Sequence, residues 1–215
     1  MTGRRLSVPP GRAGRLWLTR RLETARRGAG LLDRKLRILQ GELDRRRAGA
    51  AETAARWESC QADADRWLLR ASLLSGQRAI RLAGDTQPAD VTVSYATTMG
   101  IRYPAQAACA IPVPATWDGP VLAQTRQAHR AALDAAVQHA AAAAALRILE
   151  DETAVTRYRL RAVRDRWIPR LEQTLAEVTF EIEELERADA ARLRRAVSQA
   201  AGSAEVTQDA WPGSP

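Results

Sequence analysis

The sequence predicts an all-α fold: a long antiparallel two-helix coiled-coil hairpin with a small β-hairpin or irregular insert between the arms. Three observations carry that expectation. Apolar residues recur at alternating steps of three and four along two stretches, each far longer than an ordinary globular helix. Between them the chain turns β-branched and is punctuated by Gly and Pro. Aromatics make up only 5% of the residues, and Ala and Leu supply most of the apolar surface; that favours helix packing over a β-sandwich or an α/β core.

The 215 residues, 46% of them hydrophobic, suffice for one or two domains and a sizeable buried interface. A net charge of +8 invites a nucleic-acid reading. The only lysine, however, is Lys35, and such Arg-rich, Lys-poor usage reflects genome composition as much as function. Cys60 and Cys109 lack metal-ligand spacing and read as reduced core or seam residues of a cytosolic protein. The opening MTGRRLSVPPGR has charge but no apolar run, unlike a signal peptide. The most apolar window, Ala131 to Leu149, is mostly Ala and holds Asp134, Gln138 and His139, so it is not expected to span a bilayer.

Residues 1–14 contain Pro9, Pro10, Gly11 and Gly14 and are expected to form an irregular basic lead-in. The first long helix is placed at 15–84. Its stripe runs through Leu18, Leu22, Ala25, Ala29, Leu32, Leu36, Leu39 and Leu43, then Ala50, Thr53, Trp57, Cys60, Ala64, Trp67, Ala71 and Leu74, broken only at Arg46. That is about 60 residues, or roughly 90 Å of helix. Gly28, Gly30, Gly41 and Gly49 weaken helix propensity and suggest close helix contact or local bending. Gly84, Asp85 and Pro88 end the pattern.

The insert is placed at 85–120. Val91 to Tyr95 alternate with period two, as a strand does, and Gly100 sits in a turn. The second apolar stretch, Cys109 to Val113, is confined to an edge by Pro112 and Pro114. A second long helix follows at 121–201. Its seam is Leu146, Leu149, Thr153, Thr156, Leu160, Val163, Trp167, Leu171, Thr174, Val178, Ile182 and Leu185. Two successive steps of four occur at Trp167 and again at Ile182, stutters that locally unwind a left-handed supercoil. Pro169 removes a backbone hydrogen bond and should kink this arm. Residues 202–215 lose periodicity and read as a disordered tail. Folded back antiparallel, the basic cluster Arg20, Arg21, Arg26 and Arg27 should lie roughly opposite Glu181, Glu183, Glu184 and Glu186.

No catalytic signature is present: no Walker-type loop, GxSxG, HExxH or CxxC. His129 and His139 lie on oblique faces of an Ala-rich helix and read as surface or seam residues. The acidic run reads as a solvated helix face. Arg187, Arg192, Arg194 and Arg195 lack the interleaved aromatics that stack nucleic-acid bases. Trp17, Trp57, Trp67 and Trp167 read as seam or docking residues.

Three blocks of sequence resemble the D subunit of the V-type and A-type rotary ATPases, the central-stalk component that occupies the place of gamma in F-type ATP synthases. Pro10 to Leu16, with Arg26 to Leu39 (RRGAGLLDRKLRIL), is similar to the family's N-terminal block. Thr98-Met-Gly-Ile-Arg-Tyr-Pro104 is similar to the Gly-and-Pro motif of its central insert. Thr156 to Ala196, including Ile168-Pro169, Leu185-Glu186-Arg187 and Arg192-Leu193, is similar to its C-terminal block. Departures are visible: Gly11 stands where Thr is usual, Tyr158 interrupts a paired-Arg position, and Arg161 and Arg164 replace Asn and Glu.

What the resemblance implies is a rotor shaft that is itself non-catalytic and needs no cofactor or metal. Both termini would enter the hexamer of catalytic A and non-catalytic B subunits. The lower part would bind the small F subunit of the stalk and rest on the component that caps the membrane ring. The shaft would lie in the cytoplasm, peripheral to the membrane, without inserting into it or binding nucleic acid. On this reading Arg12, Arg15, Arg20, Arg21, Arg187, Arg192, Arg194 and Arg195 are the stator-contact candidates. Val91, Val93, Met99, Gly100, Ile101 and Tyr103 are candidates for lower-stalk packing. The rival readings are a structural helical-hairpin scaffold and a basic coiled coil associated with nucleic acid.

Overall fold

The computed structural model describes residues 6–84, 88–112 and 119–208, with side chains as far as residue 199. Asp85, Val113 and Pro114, the first five residues of the lead-in and the tail beyond Gln208 lie outside the described residues. Among those described, the elements are α1 (Gly11–Leu74), α2 (Gly76–Ala83), β1 (Asp90–Thr98), β2 (Ile101–Ala110), α3 (Pro120–Arg161), a π-helical turn (Ala162–Trp167) and α4 (Ile168–Gln208). Two long helical arms with a two-stranded insert between them are the architecture that the periodicity predicts. The chain divides into two compact units, one of Met1–Leu31 with Leu160–Pro215 and one of Leu32–Arg159.

In the first unit, α1 packs antiparallel to α4 around Leu18, Leu22 and Leu171, flanked by Trp167, Ile168, Leu175 and Val178. Helix α1 starts at Gly11, earlier than expected, because Gly11 takes φ +67° and turns the chain directly into the helix. Leu6 and Val8 fold back onto the core. Gly14 makes that possible: a Cβ there would stand 2.0 Å from the Pro9 carbonyl oxygen. Bridges from Arg12 to Glu186 (2.6 Å) and Arg26 to Glu172 (2.7 Å) mark the register. They are equally far apart on both helices, so one register serves both. It corrects the expected pairing: Arg26 faces Glu172, and the acidic run lies opposite the first turns of α1. The expected pairing had matched charge clusters, whereas buried Leu18, Leu22 and Leu171 fix the alignment, and exposed ion pairs contribute little.

A π-helical turn, Ala162–Trp167, precedes Pro169. The Ile168 N–H donates to the Val163 carbonyl, five residues back, as in a π-helix. The wide turn takes up the extra residue of the stutter at Trp167, so Leu160 and Leu171 both stay buried on either side of it. Leu185, expected in the seam, is 63% exposed, at the end of the stretch that α1 accompanies. Helix α4 continues to Gln208, through residues expected to begin the tail. The stretch 202–208 contains no proline, and extending a formed helix costs far less than starting one.

In the second unit α1 packs antiparallel to α3. Leu39, Leu43, Ala145 and Leu149 form a core with Ile101 and Tyr103 of β2. Further along, the seam narrows to Ala50, Ala64 and Ala71 on α1 and Ala132, Ala135 and Ala141 on α3, all buried. The Ala-rich stretch belongs to a helix whose mean hydropathy reaches 1.2, enough by length and composition to cross a membrane. About a fifth of its most apolar window, 22%, is buried, including Ala132, Ala135, Ala141 and Ala145, which face the helix pair. Trp57 stacks on His139 across the seam, with ring centroids 5.4 Å apart. Helix α1 ends at Leu74, short of the expected end, because Gly76 takes φ +76° and redirects the chain into α2. Leu74 therefore leaves the seam and is 73% exposed.

Strands β1 and β2 form an antiparallel hairpin around Met99 and Gly100, whose φ angles of 51° and 82° are those of a tight mirror-image turn. The second strand starts at Ile101, not near Cys109. The register shifts at Ser94/Tyr95, leaving Ala105 without a Cα partner. That bulge accommodates Pro104, which has no N–H to offer the ladder.

Two details predict stability changes. The helix glycines expected to mark close contact meet nothing: a Cβ on Gly28, Gly30, Gly41 or Gly49 would find no atom within 4 Å. Gly30→Ala with Gly41→Ala should therefore stabilise the chain by about 0.5–1 kcal/mol each, read as a higher melting temperature; a lower one would mean that the glycines are needed in the fold. Thr153 is 2% exposed and its hydroxyl has no hydrogen-bond partner among the described residues. Thr153→Val should gain about 1 kcal/mol by removing that unsatisfied group, and a loss in urea unfolding would show that the hydroxyl is satisfied.

Candidate interaction surfaces

The eight arginines singled out above are all exposed, but not alike. Arg12 is tied to Glu186, Arg187 to Glu183 and Glu184, and Arg192 to Asp189. Arg21 lies over Trp17 (5.0 Å) and Trp167 (5.6 Å), bracing the two helices by cation–π contact. Arg15, Arg20, Arg194 and Arg195 have no side-chain partner among the described residues. Arg194 and Arg195 stand on the part of α4 beyond the Glu186 bridge, where Leu193 and Val197 are also exposed.

The six insert residues also divide. Val91 and Met99 are 47% and 44% exposed, Val93 is half-buried and Gly100 is exposed. Ile101 and Tyr103, expected to meet a partner, are instead buried in the core of their own unit. The reason is strand alternation: with Ala96 they share the face that the hairpin turns onto α1 and α3. Tyr103 donates its hydroxyl to Glu42 Oε1 (3.0 Å), within 3.0 Å of Thr98 Oγ1, and Arg46 lies over its ring at 5.0 Å. Glu42 accepts further from Arg46 (2.9 Å) and pairs with Arg45 (2.6 Å). Burial by itself would raise the Glu42 carboxyl. Bonds from Arg46 and Tyr103 and the charges of Arg45 and Arg46 outweigh burial, so its pKa lies below the ordinary carboxylate value.

This network was not foreseen, although it left a sign. Arg46 is the one residue that breaks the first apolar stripe, and it does so because it faces the hairpin. The network ties the hairpin to α1, while Val91, Met99 and Gly100 stay exposed and Val93 half-buried.

This arrangement supplies long paired helices, a tethered hairpin and a helix end that outruns its partner. No curated protein matches the sequence. Residues 16–198 match the ATP synthase D-subunit family, over a span that contains the central-insert and C-terminal blocks and most of the N-terminal one. Both lines of observation converge: this chain belongs to the ATP synthase D-subunit family and is a stalk component of a rotary ATPase.

Proposed function

We propose that the chain is the central rotor shaft of a V/A-type ATPase, coupling ATP hydrolysis or synthesis in the catalytic hexamer to ion translocation by the membrane ring. It transmits torque and performs no chemistry; nucleotide turnover belongs to the A and B subunits. The observation that carries this reading is the register of the first unit. Because Arg12 is bridged to Glu186, α4 extends past the start of α1, and among the described residues no second helix runs beside the part bearing Arg194 and Arg195, a form suited to entering a central opening. Arginines without partners meet acidic stator loops by solvated contact, which lets the shaft slide past equivalent positions without deep apolar docking. The outer hairpin residues Val91, Val93, Met99 and Gly100 face the F subunit of the stalk, and the chain rests through its lower part on the component that caps the ring. It works on the cytoplasmic side, peripheral to the membrane.

The test is recovery of the tagged chain from its native membranes, with mass spectrometry of what accompanies it. The A, B and F subunits are expected. Arg194→Glu with Arg195→Glu should retain the F subunit but lower ATPase activity coupled to ion transport severalfold, as expected when rim charges are reversed. Absence of all three partners from membranes that contain the ATPase would overturn the shaft reading.

A further inference from the structure

Cys60 and Cys109 are free thiols, both half-buried, and both belong to the unit of residues 32–159. Strand β2 runs in the same direction as α1: Ile101 and Tyr103 pack with Leu39 and Leu43, and further on Ala107 lines a hollow with Ala50 and Thr53. Past the bulge the strand alternates. Ala107 and Cys109 are half-buried whereas Gln106, Ala108 and Ala110 are exposed, so Ala107 and Cys109 share the face turned onto the helices. On α1, Arg46, Thr53 and Cys60 follow one another at heptad spacing and form one line along the helix. Arg46 lies over the Tyr103 ring and Thr53 lines the hollow with Ala107, so that line faces the hairpin.

Each cysteine is the next position on its line. From the level of Thr53 and Ala107, one heptad carries α1 about 10.5 Å to Cys60, and two strand residues carry β2 about 6.6 Å to Cys109. The offset along the axis is then about 4 Å, and a disulfide joins Cα atoms about 4.4–6.8 Å apart. Beyond the cysteines, Leu68 and Ile111 meet in the wall of one groove. Cys60 thus lies between Thr53 and Leu68, and Cys109 between Ala107 and Ile111, so the pair is bracketed on both sides. Buried Ala64 and Ala135 keep the seam narrow at this level.

We propose that Cys60 and Cys109 form a reversible disulfide under peroxide, which pins the open end of the hairpin to α1. The Tyr103–Glu42 bond holds the turn end; the disulfide holds the other end, where Cys109 pairs with Val91. One thiolate attacks hydrogen peroxide: the O–O bond breaks, an S–O bond forms, and the expelled hydroxide takes that thiol's proton and leaves as water. The second thiolate attacks the sulfenic sulfur; an S–S bond forms, the S–O bond breaks, and a second water leaves with the second proton. The two sulfurs give up two electrons and the peroxide accepts them. A dithiol reverses the bond by exchange. In reducing compartments, transient disulfides of this kind serve as sensors. The inference concerns one unit of the chain and stands independently of the shaft reading.

The purified full chain is treated with hydrogen peroxide, its remaining thiols are alkylated, and its peptides are mapped by mass spectrometry. The expected product joins residues 60 and 109 of one chain, disappears with dithiothreitol and forms about tenfold faster in buffer than in urea, because the fold holds the sulfurs together. In the oxidised chain the amides of 90–92 and 108–110 should exchange about tenfold more slowly. In Cys109→Ser, peroxide should leave their exchange unchanged. Separate sulfenic or sulfinic acids, a link between two chains, equal rates in buffer and urea, two thiols still free, or a link that leaves exchange unchanged would each overturn the proposal.

Discussion

Tyr103→Ala is expected to cost about 3–5 kcal/mol of stability in the unit of residues 32–159, the range for removing a large buried aromatic. Tyr103 is 2% exposed and joins the hairpin to α1 and α3 in one core. Its loss opens a cavity and also strips the Glu42 carboxylate of one donor. Tyr103→Phe keeps the ring and should cost only about 1 kcal/mol, because Arg45 and Arg46 still satisfy Glu42. Amide exchange decides the matter. In the alanine variant, amides of β1 and β2 should lose protection before those of α1. Equal protection in all three proteins would show that the hairpin is held by something else. The pH dependence has a definite sign. Because the Glu42 pKa is lowered from 4.5 in the folded chain, its contribution is full above that value. It is lost as pH falls through the depressed pKa, so hairpin protection should fall in that acid range and not near neutrality.

Leu171→Ala should cost about 2–5 kcal/mol, but in the other unit. Leu171 is fully buried between Leu18 and Leu22, immediately past the π-turn. Among the described residues the cluster around it has three buried members, Leu18, Leu22 and Leu171 itself, so its loss leaves two. Exchange protection should collapse in 11–31 and 168–186 while the hairpin amides of 90–110 keep theirs, since units with separate cores open separately. A uniform loss across both units would show that the chain unfolds as one cooperative body.

The two apolar stripes made the helical arms legible, because burial along a seam repeats with the helix and leaves its period in the sequence. The family blocks made the stalk legible for another reason: Ile168-Pro169 inside a charged helix is not what coiled-coil composition produces. Register was misread because it rests on which leucines interlock, while charge clusters are easier to see and matter less. Ile101 and Tyr103 were placed on an outer surface because a two-stranded hairpin has two faces, and the sequence does not mark which one meets the helices. The apolar pattern fades at Gly76, but the expected helix runs on to Gly84; the left-handed backbone of Gly76 ends α1 at Leu74.

A pair of bonded rods resists sideways load far better than either rod alone, because stiffness grows steeply with the breadth of the cross-section. Past the Arg12–Glu186 bridge, α4 has lost that breadth. What stiffens it there is internal: Arg187 with Glu183 and Glu184, and Arg192 with Asp189, brace successive turns. Such braces weaken as ions screen them. Lateral play at this end of the molecule should therefore be greatest in high salt, while the part gripped by Leu18, Leu22 and Leu171 stays as stiff as before.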